Sequence, residues 1–329
     1  MCREKFTHGR VFLILTLVAL LMPVQAFGQL SVNKAGKNWK LQLKTQFLHD
    51  DNVAQNPDTP PVVTSQESDS GFNGNLGFNY THKFNNKISL AADYDIDATV
   101  YGDLSQFDLI AQMWGLKPKY KFNESMFVDM QYFYMWNIAG GNSFSGVNYI
   151  NPSFNHLHKT FGLTRVHYFY KNTDNFQNQA RDGDQHGGGI THIYLIPNSK
   201  NYVGVGYQVS DEDTDGGILA SGAFRDFDRM IHDFKVLGRV MLPEDIQLSG
   251  EYKFSYREYD NFAANAAATQ RDDKQHNFRF RLRKVLFETL GCLDNVTMRL
   301  DYLHQNNESN FLLRDYHSNR FMGGLEARF

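Results

Sequence analysis

The sequence predicts an all-β chain, closed into an antiparallel transmembrane β-barrel of about 14 strands, with 12 to 16 left open. Three observations predict it. Apolar and polar residues alternate along most of the chain, short turns alternate with long polar loops, and an export signal stands at the N-terminus.

Arg3, Lys5 and Arg10 form a positive n-region ahead of residues 11–22, an apolar run interrupted only by Thr16. Pro23 breaks the run, and Val24 and Ala26 put small residues at the −3 and −1 positions of a cleavage site before Phe27. The run falls short of the roughly 20 apolar residues a membrane-spanning helix needs. Residues 1–26 are therefore expected to be a cleaved secretory signal peptide, 27–38 a short periplasmic N-terminal segment, and 39–329 the barrel. Cys2 precedes the apolar run, so it is not a lipid-modified cysteine following a signal.

Removing the signal takes away three basic residues and Glu4, which moves the net charge from −3 to −5. That balance and the lack of a basic tail exclude a nucleic-acid partner. Only Cys292 remains, so neither an intramolecular disulfide nor a zinc cluster is expected. Aromatic residues make up 14% of the chain, with 17 Tyr and 27 Phe, yet the mean hydropathy is −0.48. An exported chain of this kind is either a periplasmic sandwich or a membrane barrel.

The loops separate the two. Short turns fall at residues 83–87, 121–125, 156–159, 197–201, 242–245 and 288–295, the first two sharing Lys-Phe-Asn. Between them lie longer polar stretches at 50–70, 102–106, 137–144, 173–184, 211–228, 259–273 and 306–314. A transmembrane barrel sorts its loops this way, with short turns periplasmic and long loops outside. An even strand number with both termini periplasmic follows.

Several strands carry the two-residue period clearly. Ile88, Leu90, Ala92, Tyr94, Ile96, Ala98 and Val100 alternate with a polar set that includes Asp93, Asp95 and Asp97. Val128, Met130, Tyr132, Tyr134 and Trp136 oppose Asp129, Gln131 and Asn137. Leu248, Tyr252, Phe254 and Tyr256 oppose Glu251, Lys253 and Arg257, while Phe278, Phe280 and Leu282 oppose Arg279, Arg281 and Arg283. Met298, Leu300 and Tyr302 oppose Arg299 and Asp301. A long open sheet with such faces would expose its edges, and closure removes them. Tyr80, Tyr94, Trp114, Tyr132, Trp136, Tyr252, Tyr256 and Tyr302, predicted to lie near strand ends, suit two interfacial girdles, with some of them serving only as lipid-facing filler. Residues 107–119 and 145–158 alternate badly, and Pro118 and Pro152 fit only near a strand end or a bulge. In residues 160–170 either Phe161, Leu163 and Phe169 or Val166, Tyr168 and Tyr170 face outward.

At the C-terminus Phe321, Gly323, Leu325, Ala327 and Phe329 alternate with mostly polar residues. A strand ending on a free aromatic resembles the terminal assembly signal of Gram-negative outer-membrane β-barrels. The whole mature chain is similar to outer-membrane barrels of the porin type. Asp50-Asp51-Asn52-Val53, followed by Asn56-Pro57-Asp58, resembles the opening hairpin of the barrel domain of surface lipoprotein assembly modifiers. Here only residues 29–38 precede the first strand, where those proteins carry helical repeats that would engage client proteins. The resemblance implies a Gram-negative outer-membrane location, with membrane lipid, lipopolysaccharide and the barrel assembly machinery as partners, the last through the C-terminal strand.

No chemistry stands out, and neither an enzyme, a cofactor nor a metal is expected. His49 with Asp50 and Asp51, His186 with Asp182 and Asp184, and His317 with Asp315 and Ser318 offer residue types used by barrel hydrolases, but Asp-rich loops contain His by chance. His156 and His158 have ligand spacing without further ligands nearby. Residues 187–189, three glycines, suggest a bulge or a tight wall contact. The acidic stretches at 182–184 and 211–217 read as solvated loops before calcium sites.

The inner face carries the functional expectation. Asp93, Asp95, Asp97 and Asp129 make an acidic sector; Lys235, Arg239, Lys253, Arg257, Arg279, Arg281, Arg283, Arg299, Arg320 and Arg328 make a basic one, joined by Lys40 and Lys44. Two such walls facing across a lumen create a transverse field. The expected function is a water-filled channel for small polar solutes, with anions favoured. The alternative is a non-conducting barrel, its charges paired across neighbouring strands, with a structural, surface-binding or protein-assembly and secretion role.

Overall fold

The computed structural model describes residues 38–57, 67–218, 224–225, 227–263, 270–289, 293–311 and 314–329. The signal peptide, nearly all of the short N-terminal segment and Cys292 lie outside the described residues.

Among the described residues sixteen strands form in chain order: β1 (Trp39–Asp50), β2 (Asp69–Lys83), β3 (Ile88–Tyr101), β4 (Leu109–Lys121), β5 (Met126–Ala139), β6 (Asn142–His158), β7 (Gly162–Asn175) and β8 (Gly183–Leu195), then β9 (Tyr202–Thr214), β10 (Gly217–Ile218), β11 (Phe224–Arg225), β12 (Arg229–Leu242), β13 (Ile246–Ala263), β14 (Gln270–Phe287), β15 (Asn295–Ser309) and β16 (Tyr316–Arg328). Fourteen of them close one antiparallel barrel; β10 and β11 pair only with each other, in the loop after β9. Each barrel strand pairs with its neighbours in sequence, and β1 returns to β16 from Gln42 opposite Arg328 to Asp50 opposite Arg320. Closure leaves no edge whose backbone groups would meet lipid unpaired.

Residues opposite one another in an antiparallel pair share a face, so the register carries each face around the wall. Gln46 lies opposite Asn73 on one side and Gly324 on the other, and its side chain is fully buried. Phe47, one residue on, is 52% exposed, as are Phe321 at 54%, Phe280 at 49% and Leu300 at 49%. Large apolar side chains are bare on the outside while buried polar ones fill the inside. This inverts a soluble protein and fits a wall between lipid and water. Around β7 the register puts Val166, Tyr168 and Tyr170 outward and buries Phe169 inside, which decides the open alternative at residues 160–170.

Three expectations are corrected. Pro152 sits well inside β6, while Pro118 stands three residues from the end of β4, and neither makes a bulge: the ladder skips them on one side, yet Leu116↔Tyr132 and Lys119↔Asp129, like Ile150↔Tyr170 and Ser153↔His167, keep one register. Each proline forfeits a donor and points its ring outward, costing the ladder a bond without a slip. The stretch at 137–144 is a tight hairpin turning at Gly140 and Gly141, both with positive φ, between β5 ending at Ala139 and β6 starting at Asn142. Tyr94, Trp114 and Tyr132 stand near mid-strand rather than at strand ends, with Trp114 between Tyr94 at 5.5 Å and Tyr134 at 6.0 Å. Alternation reveals which face a residue takes but not its depth.

The three glycines of β8 introduce no register shift. A Cβ on Gly187 would lie 2.3 Å from the Val209 carbonyl oxygen, so strand pairing there requires glycine. Opposite Gly187 the buried Phe169 ends an interior stack, with Tyr149 at 5.9 Å and then Phe133 at 4.7 Å.

Candidate functional site in the lumen

Every charged residue singled out for the inner face lies on it by register. Asp93, Asp95 and Asp97 line one side of β3 opposite Asn79, Gly77 and Asn75. Asp129 projects from β5 opposite Ser153. Lys253 and Arg257 lie on β13, Arg279, Arg281 and Arg283 on β14, Arg299 on β15 and Arg320 on β16, all in phase with Asp301 and Glu326. In the closed order β12 lies seven strands from β3, and β14 seven from β5. The acidic sector therefore faces Lys235 and the three β14 arginines across the full width.

Pairing between adjacent strands neutralises much of this charge. On the acidic side Lys117 Nζ lies 2.9 Å from Asp93, Lys44 3.7 Å from Asp97, and Arg165 3.6 Å from Asp129. Asn79 and Asn73 donate to Asp93 and Asp97 at 2.6 and 2.9 Å, and Ser153 and Asn155 donate to Asp129 at 2.7 and 3.0 Å. On the basic side Arg281 and Arg299 share Asp301, at 2.6 and 2.5 Å, and Gln46 donates to it at 3.0 Å. Glu326, buried, is gripped by Arg283 at 2.8 Å, Arg299 at 3.3 Å and Arg328 at 2.7 Å. Lys253 pairs with Asp233 at 3.0 Å and Arg320 with Asp50 at 2.6 Å. Among the described residues Asp95, Arg257 and Arg279 have no ion pair. Glu251 and Arg279 are exposed although they point inward, so the middle of the lumen is wet.

The opening motif is a seam lock, a role its residue types alone do not announce. Asp50 accepts from Arg320 and from Ser318 at 3.0 Å; Asp51 accepts from the Asn319 backbone and side-chain nitrogens, both at 2.7 Å. Asn52 donates to the carbonyls of His317 at 2.8 Å and Asn56 at 3.0 Å, and accepts from the Asn56 amide at 2.8 Å. Three consecutive polar residues thus fasten the first strand to the last at the long-loop end.

The loops at that end fold over the lumen and leave a cavity of about 360 Å³. Arg181, Arg229, Arg257, Arg271 and Arg314 line it, against the carboxylates of Glu212 and Asp273. Glu212 accepts from Lys171 at 3.2 Å and Arg229 at 2.5 Å; Asp273 is held by both Arg271 and Ser309. Arg271 lies over the Tyr259 ring at 4.2 Å and Arg229 at 5.4 Å, the latter donating to the Tyr259 hydroxyl at 2.7 Å, while Arg181 lies 5.3 Å over Phe227. Burial, then the charges of Arg314, Arg229 and Arg271, lower the pKa of Arg181 from its ordinary value. Sequence reading found Arg257 but missed Arg181, Arg229, Arg271 and Arg314, because they come from loops and strand ends brought together only by closure.

The candidate catalytic sets are not brought together. His49 and Asp50 point to opposite sides of the wall, His49 outward to Ser70 at 2.9 Å. His317 and Ser318 are separated the same way, and Asp184, on the outside near His186, accepts from Tyr170 at 2.6 Å and Asn172 at 3.0 Å. His156 and His158 lie 4.1 Å apart on the outer face with their rings tilted at 49°, and Thr164 links His158 to His192 at 2.9 Å each way. Among the described residues no group of His, Cys, Asp and Glu is arranged to hold a metal ion. Glu212 and Asp182, from the acidic stretches, are engaged internally, Asp182 by the Asn175 amide at 2.5 Å.

Fold and wall together define an outer-membrane β-barrel of porin-like architecture, its apolar face against membrane lipid. The chain belongs to the family of surface lipoprotein assembly modifiers, whose model matches residues 39–329. Both are of a non-enzymatic kind. Among solved structures it is similar to Salmonella typhi OmpF in complex with daunomycin (10% identity, TM-score 0.49, covering 91% of this chain and 99% of that one). It is similar also to an anion-selective porin from Comamonas acidovorans (8%, 0.49, covering 88% and 98%) and to Pseudomonas aeruginosa OprD (9%, 0.45, covering 89% and 95%). No curated protein matches the chain.

Proposed function

We propose that the barrel is a water-filled, porin-like channel passing small polar solutes and favouring anions. One observation carries this reading: after neighbouring strands have paired their charges, the inward residues without an ion pair among the described residues are mostly cations, Lys235, Arg239, Arg257 and Arg279 against the carboxylates of Asp95 and Glu251. Fixed positive charge in a narrow aqueous path concentrates anions. Fourteen strands lie between filled eight-stranded barrels and the roughly 16 to 18 strands of open porins, so the width supports passage of small solutes. In this reading the termini and short turns are periplasmic, and the long loops face outward beside lipopolysaccharide. The outward row of Phe321, Gly323, Leu325, Ala327 and Phe329 is what the assembly machinery engages. Planar bilayer recordings of the folded protein across a salt gradient test the proposal. The expected reversal potential shows anion preference; a silent protein, or cation preference, overturns it.

Family membership favours a second reading, a barrel that helps surface lipoproteins assemble. It is tested by protease treatment of intact cells lacking this chain. Unchanged digestion of every surface lipoprotein would count against it.

A further inference from the structure

We infer that the cavity at the long-loop end of the lumen is a binding site for a small organic anion carrying two or more carboxylates. It deepens the channel reading by naming a solute class, and rests on that reading only for transport, not for binding.

Five arginines against two carboxylates leave three positive charges around about 360 Å³, within the size range of small-molecule sites. The two carboxylates are already taken up by Lys171, Arg229, Arg271 and Ser309. Among the described residues Arg181, Arg257 and Arg314 have no ion pair. Arg257 donates to Gln275 at 2.8 Å, but its Nε is buried and has no hydrogen-bond partner. A buried guanidinium donor left unmade costs free energy that a ligand oxygen would recover. Contacts with Tyr259 and Phe227 hold Arg181, Arg229 and Arg271 in place in advance, which reduces the entropy lost on binding. A guanidinium fork matches a carboxylate edge in two parallel hydrogen bonds. Phe144, Phe227 and Tyr316 supply apolar surface for a carbon skeleton, which a bare inorganic anion would leave unused.

Isothermal titration calorimetry of the detergent-folded full chain at low ionic strength tests this, with citrate as the probe. One citrate per barrel is expected, with succinate weaker and sucrose without heat. Arg257→Gln, and the loop pair Arg181→Gln with Arg314→Gln, should each weaken citrate at least about tenfold, the loss expected for one charge-assisted hydrogen bond. Lys87→Gln, in a distant short turn, should leave it unchanged. No citrate heat, equal affinity in all variants, or tighter binding of pyrophosphate than of citrate would overturn the inference. Should Arg257→Gln fail to fold, the loop pair decides, since those side chains hold no ion pair. The two readings fail separately: citrate bound by a silent barrel sinks the channel and keeps the site, whereas conductance without citrate binding does the reverse.

Discussion

Glu326 shows what a single side chain does in this wall. Buried and surrounded by Arg283, Arg299 and Arg328, it lets three like charges stand together on three neighbouring strands. Removing one partner of a buried ionic network leaves the others unpaired, at a cost of roughly 3–5 kcal/mol. Glu326→Ala is expected to destabilise the barrel by about 3 kcal/mol or more, read as a shift in the urea midpoint of unfolding from lipid vesicles. An unshifted midpoint would mean that water reaches and screens those arginines. The basic sector was legible in the sequence because Arg279, Arg281 and Arg283 recur every second residue. Their partners were not. Asp301 and Glu326 meet those arginines only through the register of β14, β15 and β16, and nothing in their local sequence marks them as shared acceptors.

At the scale of the strand, alternation was read correctly wherever the outward residue was large and apolar, as along β14. It failed where glycine, proline or glutamine stood in an outward position. β6 alternated badly because Pro152 and Gly146 take lipid-facing positions, and β4 because Gln112 and Pro118 take lipid-facing positions while Met113 points inward. The final strand serves two roles. Its register with β1 requires Gly324, where a Cβ would lie 1.9 Å from the Thr45 carbonyl oxygen, and Phe329 exchanges backbone hydrogen bonds with Leu41 at 3.0 and 3.5 Å. Those closing bonds need no particular side chain at position 329. Phe329→Ala should therefore lower the amount of heat-modifiable barrel formed in cells while leaving refolding into vesicles efficient. Equal loss in both settings would make the residue a structural element and not an assembly signal.

Across the whole molecule one division organises everything: a lipid face, an inner face with opposed acidic and basic sectors, and a loop end drawn together over a cavity rich in arginine. Loop lengths revealed the topology, since they sort by end of the barrel. The cavity stayed hidden because Arg181, Arg271 and Arg314 lie far apart in the chain, in segments without periodicity. The motif at Asp50, Asp51 and Asn52 was visible as a resemblance, but its physical role needed β16 beside it. The most direct test of the account is a cysteine scan of β14 in a Cys292→Ser background, in the folded protein in lipid vesicles. Cysteines at Arg279, Arg281 and Arg283 should react with a charged, water-soluble thiol reagent, and those at Phe278, Phe280 and Leu282 should be protected from it yet quenched by lipid-attached quenchers once labelled. Equal reaction along the whole segment would contradict a closed wall with lipid on one side and water on the other.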